Sequence, residues 1–226
     1  MCLGYLSSRL FAMVGNMKCH KTEIATRSSA QSGFSLLEAL VTVSILMVAA
    51  GIFAPKVNSA VKDSVVGNSY DSALMAIRQA REAAVSERRV YVVTFTSPGT
   101  VSVAPLNAAT NALNFSRSFP AEIQFAAVTG IPNTASTTPD GLGTGPSTGA
   151  ICFDVGVTST GTNTIYFWPD GSARDVNGNM NSGVVYIARP SELMSSRAIT
   201  VWGVSGRIRG WRLRKNSAGV TSWGQQ

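Results

Sequence analysis

The sequence predicts an α+β protein, with one long N-terminal helix packed against an antiparallel β-sheet domain. Three observations carry this. Residues 33–56 read GFSLLEALVTVSILMVAAGIFAPK, an apolar run holding one acid. Apolar residues then recur at helical spacing as far as Val85. Beyond Arg89 the period changes to two, in short β-branched and aromatic runs punctuated by Gly, Pro, Asn and Asp.

The first element is the apolar run. From Phe34 to Ala54 there are 21 residues and one charge, Glu38. A helix of that length rises about 30 Å, enough to cross a hydrocarbon core. A secretory signal peptide fits poorly, because the run is longer than a usual signal core and carries a carboxylate in its first turns. A carboxylate within a bilayer costs roughly 2.5–3.5 kcal/mol and calls for a partner. Cleavage after Gly33 would create one. The new amine of Phe34 is positive and stands one helical turn before Glu38, which can offset that amine or the amine of a neighbouring copy.

The second element continues the helix past Pro55, where a bend is expected. Val57, Val61, Val65, Leu74, Ile77, Ala80, Ala84 and Val85 form the apolar side of an amphipathic helix over residues 56–89. Lys62, Asp63, Asn68, Asp71, Arg78 and Arg81 fill the other side. Arg78, Arg81, Arg88 and Arg89 are interleaved with Glu82 and Glu87, and read as a solvated face.

The β domain spans residues 90–226. Strands are expected at Val90–Phe95, Val101–Leu106, Glu122–Ala126, Ala150–Phe153, Thr164–Trp168, Val184–Ala188, Ala198–Val204 and Arg207–Leu213. Ser97-Pro98-Gly99 and Pro169-Asp170-Gly171 read as turns. Residues 130–149, rich in Gly, Pro and Thr, read as a long surface loop.

Charge is concentrated at the two ends. The formal net charge is +7. Arg9, Lys18, Lys21 and Arg27 against Glu23 leave +3 before Phe34, residues 34–206 sum to −1, and Arg207, Arg209, Arg212, Arg214 and Lys215 add +5. A local run of cations without an acid suits a polyanionic partner. Of Cys2, Cys19 and Cys152, only the last lies in the β domain, where it reads as a small buried hydrophobe.

These residues disfavour catalysis. The sole histidine, His20, precedes the apolar run, so the processed chain has none for a catalytic triad or a metal. Asp154, Asp170 and Asp175 are the remaining candidates for a carboxylate site, but Asp170 has a sufficient role in its turn, and the Asp- and Asn-rich stretch 170–181 lacks EF-hand spacing. No cofactor or metal is expected.

The segment SGFSLLEALVTV, Ser32 to Val43, resembles the class III signal of type IV pilins and pseudopilins. The resemblance implies cleavage by a prepilin peptidase after Gly33, N-methylation of Phe34, and a role for Glu38 in filament assembly. It also implies passage through the inner membrane of a Gram-negative bacterium, with its lipid as first surroundings and other pilin subunits as later partners. The leader, residues 1–33, is longer than that family's. Met17 begins one of ordinary length, MKCHKTEIATRSSAQSG, so translation is expected to start there, with Met13 as an alternative.

A second resemblance covers the β domain. IYFWPDGSA at residues 165–173, GVVYIA at 183–188, RAITV at 197–201 and GRIR at 206–209 follow one another as in GspH/FimT-type pseudopilins. It implies the type IV pilin fold. It further implies either of two functions. One is a minor type IV pilin that binds extracellular double-stranded DNA through a C-terminal Arg motif, for natural transformation. The other is a structural minor pseudopilin of type II secretion or of pilus priming, with protein partners only.

The tail GRIRGWRLRK is the candidate DNA site. Alternation puts Arg207 and Arg209 on one face and Ile208 on the other. Gly210 is expected to interrupt the strand, so that Trp211 and Leu213 then share one face and Arg212 and Arg214 the other. Guanidinium forks suit phosphate oxygens, and Trp211 suits stacking on a base or sugar. The same residues also read as an ordinary last strand, with Ile208, Trp211 and Leu213 in the core and the arginines solvated.

Overall fold

The computed structural model describes residues 33–107, 110–132, 134, 136–142, 149–153 and 162–226. The leader with Met13, Met17, Cys2, Cys19 and His20, much of the expected loop at 130–149, and Asp154 lie outside the described residues. The chain divides into two units, Met1–Val48 and Ala49–Gln226.

In the first unit the described chain has no regular secondary structure at Gly33–Ser35 and enters helix α1, Leu36–Glu87, which continues into the second unit. The helix runs on through Pro55. Its first turns are mostly apolar, with Glu38 the one charge, and uncovered, with Leu36 83% and Leu40 62% exposed. Such a surface is stable in water only when something apolar covers it. Among the described residues no helix is long and apolar enough to cross a membrane. The expected span over residues 34–54 lies only partly within the described side chains. The described side chains of the run end at Ile52, and α1 begins at Leu36 rather than at Phe34.

In the second unit α1 buries Val66, Tyr70, Ala73, Ile77, Ala80 and Ala84, one stripe at alternating steps of four and three. The expected stripe is out of phase in places. Val61 and Val85 stand about half exposed (55% and 47%), while Val66, Tyr70 and Ala73 face inward. Alanines at 73, 76, 80, 83 and 84 let the strands approach the helix axis closely.

The strands form two antiparallel sheets, where one was expected. The first has the order β3-β2-β1-β6-β7, with β1 Tyr91–Thr96, β2 Thr100–Pro105, β3 Phe115–Ser118, β6 Thr164–Phe167 and β7 Ala173–Arg174. The second has the order β11-β10-β9-β8-β4, with β4 Gln124–Phe125, β8 Gly183–Ala188, β9 Arg197–Trp202, β10 Arg207–Lys215 and β11 Thr221–Gln225; β5, Ile151–Cys152, also pairs with β8. The segment between β2 and β6 causes the division. It lends β3 to the first sheet and β4 and β5 to the second before the chain returns.

Period-two patterning sets which side chains enter the core. Tyr91, Val93 and Phe95 of β1 are buried, and so are Val101 and Val103 of β2. They join Ile165, Phe167, Val185, Ile187, Ile199 and Val201 against the inner stripe of α1. β8 and β9 are buried on both faces, because a second cluster lies behind them. That cluster holds Ile131, Cys152, Val184, Tyr186, Ala198 and Leu213, with Trp211 and Trp223 packed against it. Cys152 is thus a buried core residue, as its setting in the sequence predicts.

Candidate nucleic-acid interface

β10 runs without interruption from Arg207 to Lys215, pairing with β9 on one side and β11 on the other. Gly210 does not break it. Instead, Gly210 pairs with Ile199 and lies under the Tyr70 side chain of α1, whose hydroxyl occupies the space a Cβ would need. Alternation therefore carries on through Gly210, and the tail cations divide between two faces. Arg207, Arg209, Trp211, Leu213 and Lys215 share the face of the second cluster. Ile208, Arg212 and Arg214 share the α1 face.

On the first face, Arg209 donates from Nη1 to Asp140 Oδ1 at 2.8 Å. The Asp140 side chain is only 5% exposed, so this ion pair is largely removed from water. Thr200, opposite Arg209 across the ladder, donates to Asp140 Oδ2 at 2.6 Å. Trp211 Nε1 donates to Thr200 Oγ1 at 3.1 Å. Trp211 is thus held by the strand next to it and by the second cluster, rather than presented for stacking. Arg207 is exposed and lies over the Trp202 ring, 5.3 Å from its centroid.

On the α1 face, Arg212 donates to Asp63 Oδ2 at 2.9 Å, and Arg197 donates to Asp63 Oδ1 at 2.8 Å. One carboxylate thus serves two guanidiniums. Burial pulls the Asp63 carboxyl upward, but the hydrogen bond and charge of Arg197, and then those of Arg212, hold it below its ordinary range. Arg197 is 2% exposed; burial and the nearby Arg212 both lower its pKa. Arg214 and Lys215 are exposed, and no ion pair engages either among the described residues. Of the five expected tail cations, two are neutralised locally and three remain available to a ligand.

The two sequence motifs of the β domain meet at α1. Arg81 Nε donates to the carbonyl of Gly171 at 3.1 Å, and Arg81 Nη2 donates to the carbonyl of Ser205 at 3.2 Å. Gly206 has φ +57° and packs so closely on the Gly171 carbonyl that any Cβ there would overlap it. Arg81 is therefore a brace between the turn at 168–172 and the turn before β10, not a solvated residue. In the first of these turns Asp170 Oδ1 accepts from Ser172 N at 2.9 Å and from Ser172 Oγ at 2.5 Å, and Asp170 Oδ2 accepts from Arg174 at 2.7 Å. Asp175 similarly accepts from the backbone of Asn177 and Asn179. Both carboxylates are committed to their own turns, and the described residues contain no cluster of metal-ligating side chains.

Arg197, Asp63 and Asp140 were not singled out in the sequence as partners. Arg197 stands next to an apolar strand, a weak hint of a buried cation. Asp63 and Asp140 lie 134 and 69 residues from the arginines they bind, and no local pattern marks such pairs.

At the other end of the chain, Gly33 and Phe34 are exposed just before α1, and a Cβ at Gly33 would meet nothing within 4 Å. Glu38 is exposed in the first turn of the helix.

The family model described as the prokaryotic N-terminal methylation motif matches residues 28–54. Comparison with curated proteins gives no match. Among solved structures, the chain is similar to the type IV minor pilin FimU of Pseudomonas aeruginosa, with TM-score 0.40 and 12% identity over 65% of this chain and 88% of that one. A second crystal form of FimU gives TM-score 0.38 and 12% identity over 64% and 90%. The minor pseudopilin EpsH from the type 2 secretion system of Vibrio cholerae gives TM-score 0.31 and 8% identity over 71% and 96%. The start of the chain, from residue 28 to the apolar turns of α1, thus carries a prokaryotic N-terminal methylation motif.

Proposed function

We propose that the chain is a minor subunit of a type IV pilus, cut after Gly33 by a prepilin peptidase, methylated at Phe34, and held first by inner-membrane lipid and then by other pilin subunits. The methylation motif at residues 28–54 carries this reading. The uncovered apolar turns of α1 support it, because they need lipid or neighbouring helices as cover. Glu38 is the group that would pair with a positive amine in the filament.

Within that role the chain binds extracellular double-stranded DNA without sequence preference, for uptake in natural transformation. Arg207, Arg214 and Lys215 are the exposed cations of β10, and a rigid paired strand holds them in place. A second reading, a purely structural pseudopilin, has its own support: Arg209 and Arg212 are already paired with Asp140 and Asp63.

Titration of the full chain in detergent against fluorescent random-sequence duplex separates the two. Binding should weaken with salt, with log K falling by about 0.9 per phosphate contact per unit of log salt. The triple variant Arg207→Gln/Arg214→Gln/Lys215→Gln should lose most of it. No binding by the wild type at low salt would leave the structural reading. Arg209→Ala is a poor probe, since it also unpairs Asp140.

A further inference from the structure

A cavity of about 370 Å³ lies where α1 meets the turn before β10, lined by Arg78, Arg81, Glu82, Ser205, Arg207 and Ile208. Two arginines of α1 line it beside one acid, Glu82, while the Arg207 guanidinium turns to the other face of β10, over Trp202. Arg81 is fixed there by its two bonds to backbone carbonyls. Arg78 enters no ion pair among the described residues.

A second cavity, of about 470 Å³, lies at the C-terminal end of α1 and is lined by Arg88, Arg89, Leu106, Trp168 and Pro169 among others, with no acid. The turn at 168–172 connects the two. Trp168 and Pro169 line the second cavity, while Gly171 accepts the bond from Arg81 in the first. Arg78 lies in the last turns of α1, and Arg88 and Arg89 follow just past its end at Glu87. Arg88 and Arg89 complement the helix dipole, which gives them a local reason to be basic. Arg78, in the penultimate turns, has no such reason.

The geometry points to a track for a phosphodiester backbone along this end of α1. One phosphate is held by Arg78 and Arg81, and a later phosphate of the same strand is held by Arg89. This inference rests on the DNA reading above and moves its centre from β10 to the junction of α1 and β10. Two acid-poor cavities, one beside the last turns of α1 and one at its end, favour a ligand of repeating charge, and a DNA strand offers a phosphate roughly every 3.4 Å of axial rise. A lone acidic side chain of a protein partner would fill one cavity only. Phosphate also presents several oxygens to converging guanidinium forks.

The test uses the full chain in detergent with fluorescent random-sequence duplex, and the double variant Arg78→Gln/Arg89→Gln. Arg81 is left intact because it braces two turns. The variant should bind about tenfold or more weakly, with a salt slope lower by about 1.8 for two lost contacts. Its thermal melt should match the wild type. Unchanged affinity and slope, with binding lost in the Arg207, Arg214 and Lys215 variant, would overturn the track and leave the DNA reading standing. A wild type that binds no duplex at low salt would overturn both. Displacement of duplex by polyglutamate as readily as by inorganic polyphosphate would also overturn it, and would assign the site to an acidic protein surface.

Discussion

The Tyr70 hydroxyl lies on Gly210, occupying the position a side chain at 210 would take. This contact joins the inner stripe of α1 to the middle of β10. It explains a glycine within a strand whose other residues are basic or apolar. The hydroxyl is buried, with no hydrogen-bond partner among the described residues, and burial pushes the Tyr70 pKa up to about 12. Gly210→Ala should therefore destabilise the chain by about 1–3 kcal/mol through overpacking. Tyr70→Phe should be neutral or slightly stabilising, because it removes an unpaired buried polar atom. Combined with Tyr70→Phe, Gly210→Ala should cost less than it does alone. Thermal denaturation of the four chains gives the comparison, and equal costs of Gly210→Ala in both backgrounds would refute the packing account.

Much of the fold was legible because periodicity reports burial. Eight expected strands recur in the structure, displaced by a residue or two at their ends. Three others were not legible. β3 reads FSRS and is exposed along most of its length, β7 has two residues, and β11 reads TSWGQ with no apolar alternation. Each is held by ladder bonds and by a single apolar side chain, Phe115, Ala173 or Trp223, too few to show as a period. The helix stripe was misphased because Val57, Val61 and Val65 outweigh the small alanines that make the closest contacts.

The tail shows a different limit. Its cations were countable from the sequence, but their availability depends on acids distant along the chain. The face of each residue past Gly210 turned on whether the strand continued. Gly210 looked like a break because glycine lowers strand propensity. The tertiary contact with Tyr70 gives it another purpose. Arg81 was placed with the solvated residues by its acidic neighbours, yet the carbonyls it braces lie 90 and 124 residues away.

Asp63 shared between Arg197 and Arg212 supports an asymmetric prediction. The Arg197 side chain is 3% exposed and that of Arg212 39%. Removing Asp63 strands a buried guanidinium that keeps only long bonds to the carbonyls of Ser195 and Ser196, at 3.3 and 3.4 Å. Asp63→Ala should cost about 2–4 kcal/mol in stability. Arg212→Ala should cost below about 1 kcal/mol, since its pair is screened by water. Urea denaturation of each variant measures both. A loss from Arg212→Ala as large as that from Asp63→Ala would mean that the pair nearer the surface, not the buried one, holds α1 to the second sheet.

The turn at 168–172 should report acid pH. The two bonds from Ser172, then that from Arg174, bring the Asp170 carboxyl down to about 2 from 3.8. A folded pKa below the unfolded one means that the unfolded chain takes up the proton first as pH falls. The stability Asp170 supplies is therefore complete above about pH 4 and is lost progressively toward pH 2. The side chain is 53% exposed, which keeps the effect small. Asp63 and Asp175 are also held low and will give the wild type an acid slope of their own. The informative quantity is the difference in melting temperature between wild type and Asp170→Asn. It should favour the wild type at pH 5, narrow from pH 4 downward, and nearly vanish at pH 2. Parallel melting curves across that range would show that the turn gains nothing from the ionised form, and that Ser172 and Arg174 bond the amide as well as the carboxylate.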